Sequence, residues 1–528
     1  MTTSTDNPRV TQRAGVVGSA TFLSRILGYL RDMVIASFFG AGLASDVFIA
    51  AFRIPNFLRR LFGEGSLSIA FIPVFTDTLK LQGRAEAERL AISSIRLLSV
   101  VLLGICLLGV ALAPWLVHML AYGFVDQPEK FTLCVKLTRI MFPYLLFIGL
   151  VALCMGILNV LGHFAAPALA PALLNIAMIG MLLLFAWISP SQATRVAGLS
   201  LGVLLGGMLQ LGLQVPLLIK KGIAFWRSSP WWHPAMKKIL LLMWPVLFGT
   251  AVYQINSLII CLLASMLPQG SISYLYYADR LVQFPLGIFA ISLATALLPT
   301  LALQAANQQW EQLQATFAYA LRLVFFVTLP AMAGLIVLRE PVVRLLFARG
   351  AFDEQAVRLT ASALIYYGVG LWAFAAVRIV LSTFYALKDA KTPVVLGAVA
   401  IIFNTVMGVL LMGPMQHNGL ALALSLASAL NLAMLTLALR RRMGALGWRP
   451  IVSAIGRSGL CSLLMGWAVW ALARWIFDAL GTTRAGTLAG VGVCIVAGVV
   501  IYGALAYAVK MPELRAVMRM ITGKMRPT

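Results

Sequence analysis

Apolar runs of about twenty residues recur from Gly15 to Val509, and no polar block between them is long enough to fold on its own. At the usual size per domain, 528 residues would make about three or four soluble domains. Only 11% of the residues are charged, however, against about 25% in a globular domain. With 61% hydrophobic residues and a mean hydropathy of +0.93, the chain reads as an all-α polytopic membrane protein. The apolar stretch after the polar segment Met1 to Ala14 is too long and too charged for a cleaved signal peptide, so it is expected to stay as the first helix. Cys106, Cys134, Cys154, Cys261, Cys461 and Cys494 lie in apolar runs without CxxC or metal spacing and show no redox role.

Cutting at charged or Pro/Gly-marked gaps leaves about fourteen transmembrane helices, near 15–39, 44–79, 92–120, 134–161, 167–188, 196–219, 237–267, 273–303, 315–338, 358–387, 393–412, 418–439, 455–480 and 485–510. The second is too long for one straight helix and is expected to break at Gly63, Glu64 and Gly65. Lysine and arginine concentrate in the even-numbered gaps and the tail: Lys80, Arg84 and Arg89, then Lys220 to Lys238, Lys388 and Lys391, Arg440 to Arg449, and Arg515 to Arg526. The alternate gaps are poorer, holding Lys130, Arg195 and Arg484, apart from one with Arg339, Arg344, Arg349 and Arg358. Both termini are therefore expected to be cytoplasmic. Much of the +24 net charge is this topology signal, which argues against a nucleic-acid partner.

Pro73 and Pro299 are 226 residues apart, as are Pro167 and Pro393, and Gly123 with Asp126 matches Gly350 with Asp353 at an offset of 227. Concordant offsets point to a tandem repeat of six helices per copy. An even number gives two lobes facing the same way, related by an axis along the membrane normal. The expected domains are residues 1–225 (helices 1–6), 226–446 (helices 7–12) and 447–528, two further helices.

Charges lie inside the apolar runs, where each costs about 2.5 to 3.5 kcal/mol. On a 100-degree wheel Gly18, Thr21, Gly28 and Asp32 fall within about 60 degrees of Arg25, with Ser24 and Arg31 farther round on the same side; Phe22, Leu23, Ile26, Leu27, Leu30, Met33 and Val34 fill the opposite arc, a face for lipid or for packing. Asp46, Arg53, Arg60 and Glu64 fall within about 40 degrees of one another, with Asn56 at the edge and Arg59 off the line. That stripe is about 27 Å long and suits a water-lined surface. In the second half Asp279, Arg280 and Gln283 open helix 8. Arg25 with Asp32, or Asp46 with Arg53, are alternatives as structural ion pairs, and Arg59 and Arg60 as interfacial anchors. Yet Arg25, Arg31, Arg53, Arg59, Arg60 and Arg280 outnumber the acids Asp32, Asp46, Glu64 and Asp279 by two. The excess fits an anionic ligand, and the planar guanidinium fork suits phosphate oxygens. Tyr253, Gln254, Asn256 and Ser257 on helix 7 fit either a cavity wall or helix packing. His118, His163, His233 and His417 have no ligand spacing, and no catalytic motif is present, so neither an enzyme nor a cofactor is expected.

The segments "SRILGYLRD", "DVFIAAFRIPNFLRRLFGEGSLSIAFIPVF", "YYADRLVQFPLGIF" and "FYALKDAKTPV" resemble those of the MurJ (MviN) family of lipid II flippases, across helices 1 to 12. The resemblance implies a fourteen-helix fold of the MOP exporter superfamily, with two six-helix lobes around a cationic cavity. It implies alternating access that carries an undecaprenyl-diphosphate-linked disaccharide-pentapeptide to the outer leaflet of the bacterial inner membrane. Important family positions fall on Arg25, Arg31, Asp46, Arg59, Arg60, Glu64 and Arg280. The partners expected are lipid II and membrane lipids, with the chain a monomer. The second lobe lacks the acids of a sodium site, so the coupling ion stays open and membrane potential is the expected driver. A related exporter of drugs or of lipid-linked polysaccharide is the alternative, and a membrane enzyme of lipid-linked sugars the more distant one.

Overall fold

In hydrocarbon every backbone N–H and C=O must be satisfied within its own segment, so apolar runs of this length fold as helices. The computed structural model describes residues 7–61, 67–227, 229–444, 447–480 and 483–522. Two compact units are formed, Met1–Gly270 and Ser271–Thr528.

The first unit holds α1 (Asn7–Phe39), α2 (Leu43–Leu61), α3 (Leu67–Leu81), α4 (Arg84–Ala111), α5 (Ala113–Leu120), α6 (Pro128–Met141), α7 (Tyr144–Val160), α8 (Ala165–Ile188), α9 (Gln192–Lys220) and α10 (Ala235–Ser265). The second holds α11 (Ser271–Pro285), a π-helical turn at Leu286–Ile291, then α12 (Ser292–Ala306), α13 (Trp310–Val337), α14 (Arg339–Phe347), α15 (Glu354–Val369) and α16 (Leu371–Ala386). It continues through α17 (Lys391–Met415), α18 (His417–Met443), α19 (Trp448–Leu480), α20 (Arg484–Ala508) and α21 (Pro512–Thr522).

Helices occupy all fourteen expected stretches, the second of them as separate helices α2 and α3; the Gly63, Glu64, Gly65 triplet expected to break it lies outside the described residues. Among the described residues ten helices are long and apolar enough to cross a membrane, or eleven if α15 and α16, bent by 43°, count as one. The stretches outside the ten include α1 and α2, whose arginines and aspartates interrupt the apolar sequence.

Helix boundaries recur at the offset of the repeat. Arg84, Ala113, Pro128 and Ala165 open α4, α5, α6 and α8, and 226 residues on, Trp310, Arg339, Glu354 and Lys391 open α13, α14, α15 and α17. Phe39 ends α1 and Ser265 ends α10 at the same spacing. Packing draws its line elsewhere: α10, the counterpart of α1, packs within the first unit against α2 and α3. The α19–α20 pair, expected as an addition to the duplicated core, packs on α13 of the second unit.

Close helix contact sets the position of α8. Gly198, Gly202 and Gly206 lie four residues apart on α9; a Cβ on Gly202 would meet Met178 Cα at 2.8 Å, and one on Gly206 would meet Leu174 Cα at 2.9 Å. Small residues at this spacing let membrane helices approach backbone to backbone. The residue between those contacts, Asn175, bears on the site described next.

Candidate functional site

Asn175 is a single amide in an apolar helix, 6% exposed, and it faces α1. Its Nδ2 donates to the carbonyl of Ser24 (3.2 Å), and its Oδ1 accepts from Arg31 Nη1 (3.1 Å). Arg31 also pairs with Asp32 through Nε (3.0 Å) and Nη2 (2.7 Å), both residues being buried. Nothing in the spacing of α1 announced Asn175; the signal was a lone amide in an apolar run, where a polar side chain needs a partner.

Arg25 does not pair with Asp32. Seven residues along a helix is about 10.5 Å, and the neighbouring Arg31 reaches the carboxylate first. Arg25 is exposed and has no hydrogen-bond or ion-pair partner among the described residues. On the opposite arc Phe22, Leu23, Ile26 and Leu30 are exposed, whereas Leu27, Met33 and Val34 are half-buried.

Along α2 the expected stripe divides by depth. Asp46, at the start of the helix, is 1% exposed, whereas Arg53, Asn56, Arg59 and Arg60 are half-buried. Asp46 does not pair with Arg53; its Oδ2 accepts the Gly270 backbone N–H at 2.7 Å and lies 3.8 Å from Lys130 Nζ. Lys130 is 2% exposed and sits over the Phe124 ring, 4.4 Å from its centroid. Buried in a pair, Lys130 drops out of the count of loop charges and leaves the charge asymmetry stronger.

The other α2 arginines bond to α10 and to each other's neighbourhood. Arg53 donates to Ser257 Oγ, Arg60 Nη1 to Gln254 Oε1 at 3.4 Å, and Arg59 Nε to Asn56 Oδ1 at 3.0 Å. Gln254 and Ser257 thus meet α2 through these two bonds. The Tyr253 side chain and Glu64 lie outside the described residues.

In the second unit Arg280 donates to the Tyr276 hydroxyl through Nη2 (3.0 Å) and Nε (3.3 Å), with its guanidinium 5.1 Å from the ring centroid. Gln283 Nε2 donates to Asp279 Oδ1 at 3.4 Å, and Gln283 is exposed. One turn further on, the regular ladder gives way to the π-helical turn that begins after Pro285. Such turns are frequent at functional sites, and only the proline marked this one in the sequence.

The family model described as "Lipid II flippase MurJ" matches residues 35–484. The Vibrio cholerae protein named "Probable lipid II flippase MurJ" is 37% identical over 521 residues, covering 96% of this chain and 97% of its own. "Lipid II flippase MurJ" of Burkholderia cenocepacia is 34% identical over 461 residues, covering 85% and 88%. A solved structure titled "Lipid II flippase MurJ, inward closed conformation" superposes with a TM-score of 0.78 at 26% identity, covering 93% of this chain and 99% of that one. A multidrug resistance MATE family transporter of the MOP superfamily shares the fold at a TM-score of 0.68 and 15% identity, covering 82% and 99%. A match across 35–484 on this all-helical, multi-pass scaffold shows that the chain belongs to the MurJ family of lipid II flippases.

Proposed function

We propose that the chain moves lipid II from the cytoplasmic to the periplasmic leaflet by alternating access, holding the diphosphate on a cationic cavity to which Arg25, Arg53, Arg59, Arg60 and Arg280 contribute. The observation that carries this reading, beside the family, is uncompensated charge: Arg25 and Arg53 have no acidic partner among the described residues, and Arg53 bonds only a neutral hydroxyl. A guanidinium kept in a membrane helix without a carboxylate is costly unless an anion visits it. Arg31, closed off by Asp32 and Asn175, fits a positioning role for the helix that carries Ser24 and Arg25.

Asn56, Glu64, Asp279 and Gln283 are assigned as polar or gating groups of the same cavity, and α19 with α20 as the groove for the polyprenyl tail; Asp46, expected among them, is buried against Lys130 and the Gly270 N–H and holds the start of α2 instead. No cofactor is assigned. Membrane potential drives the cycle, since each elementary charge moved through 100 mV is worth about 2.3 kcal/mol. The protein works as a monomer with both termini in the cytoplasm. The test is transport of fluorescent lipid II in proteoliposomes with imposed potentials and ion gradients. Arg25→Ala and Arg280→Ala should stop transport at normal protein level, and transport indifferent to the potential would remove it as the driver.

A further inference from the structure

The described residues of the segment 221–234, between α9 and α10, which leave out residue 228, have no regular secondary structure, yet they are clasped to α4. Arg84 Nη2 donates to the Lys221 carbonyl (2.6 Å), Glu88 accepts from the Ala224 N–H (3.1 Å) and from Arg227 Nη1 (2.9 Å), and Arg96 donates to the carbonyls of Arg227 and Ser229 (3.0 Å each). Ser93 Oγ donates to the Pro230 carbonyl (2.6 Å), and the buried His233 meets Glu86 at 2.9 Å. A connection of this length without helix or strand is uncommon unless it is functional, and ordering it is opposed by conformational entropy.

What the clasp displays is three indoles. Trp226, Trp231 and Trp232 are 73%, 66% and 51% exposed. Lys220, Lys221 and Lys237 flank them and are exposed. Leu241 and Trp244, on the first turns of α10, are exposed too, so the apolar surface runs from the loop onto α10. Tryptophan with lysine at the end of a spanning helix matches the headgroup layer, where an indole has an apolar body in the acyl boundary and its N–H in the polar zone.

We propose that the clasped 221–234 loop is a docking surface for the anionic headgroup layer of the bilayer, and that it fixes the depth of the first unit. The occupant is lipid rather than a soluble protein because the lysines complement anionic headgroups and because the exposed apolar surface continues onto α10.

The six native cysteines are all buried, so a single added thiol can be labelled selectively in the full-length protein. Trp226→Cys and Trp231→Cys, each carrying an environment-sensitive fluorophore, are compared in phosphatidylcholine proteoliposomes with and without phosphatidylglycerol. Leu463→Cys serves as the deep control and Gln309→Cys as the aqueous one. Quenching by a headgroup-level spin-labelled lipid should exceed the aqueous control by about twofold or more at both loop positions, and iodide quenching should fall correspondingly. The added effect of phosphatidylglycerol should vanish in a Lys220→Gln, Lys221→Gln, Lys237→Gln background. A thermal transition equal to that of the parent shows that each labelled variant is folded. Iodide quenching at both loop sites equal to that of Gln309→Cys, in folded variants, overturns the proposal and leaves a water-facing surface suited to a soluble partner. Lipid quenching that ignores both phosphatidylglycerol and the lysines overturns the choice of anionic headgroups.

Discussion

Asp46 and Lys130 meet in the interior of the first unit, 3.8 Å apart and each 2% or less exposed, although 84 residues separate them in the chain. The same carboxylate oxygen accepts the Gly270 N–H, so one side chain ties the start of α2 to the start of α6 and to the end of the unit. Lys130→Met should therefore destabilise the detergent-solubilised protein by about 3 kcal/mol, as removal of one partner of a buried pair does. Adding Asp46→Asn should restore much of the thermal stability. A single variant as stable as the parent would show that the pair is not under compulsion.

Arg25 and Arg31 are six residues apart and should fail differently. Arg31→Ala removes the 2.7 Å partner of buried Asp32 and should lower thermal stability by about 3 kcal/mol, with Asp32→Asn as a partial rescue. Arg25→Ala should leave stability and membrane level unchanged while lipid II translocation collapses, and Arg25→Lys should recover only part of it because the bidentate fork is lost. Equal destabilisation by both alanines would argue that Arg25, too, is structural.

Backbone proximity on α9 makes a sharper test of geometry than of charge. Gly202→Ile introduces atoms where even a Cβ lies 2.8 Å from Met178 Cα, so α8 and α9 must separate. Asn175 moves with α8, and the variant should lose translocation together with stability. Gly104→Ile on α4, where nothing lies within 4 Å of the built Cβ, should do neither.

Asp389, in the turn between α16 and α17, accepts the Thr392 N–H (3.0 Å) and hydroxyl (2.8 Å) and meets the Arg442 guanidinium. Chiefly through the Thr392 N–H, its carboxyl is held below the usual carboxylate range. A carboxyl depressed on folding contributes stability that is present above its unfolded pKa, about 3.9, and is lost as pH falls through the folded value. Thermal midpoints followed into the acid range below about pH 4 should therefore fall in the parent, and Asp389→Asn should show a lower midpoint at neutral pH with a shallower acid limb. An unaltered limb would assign acid sensitivity to other carboxylates.

Topology supplies a further test. Reporter fusions at Thr528 and near Gln269 should report opposite sides of the membrane, and the same side for both would break the alternation of basic and poor loops.

The stretches that became helices were legible because hydrocarbon length and the requirement for internal hydrogen bonding leave few alternatives. Arginines on α1 and α2 were legible for the converse reason, as charges in the wrong solvent. Partner choice was not. A helical wheel orders residues around one axis, so it grouped Arg25 with Asp32 and Asp46 with Arg53, whereas the acids are satisfied by the adjacent Arg31 and by Lys130 on another helix. Asn175, Ser257 and Gln254 enter through contacts between helices, which periodicity within one helix does not encode.

The placement of α10 bears on how the protein is made. α10 ends 226 residues after α1, at the offset of the expected repeat, yet it packs against α2 and α3 of the first unit. During synthesis the contacts that α2 and α3 make with α10 cannot form until the chain beyond residue 234 has emerged. A polypeptide divided after residue 225 would strand α10 on the wrong fragment, and one divided after Gly270 would keep each packing unit on a single strand of translation.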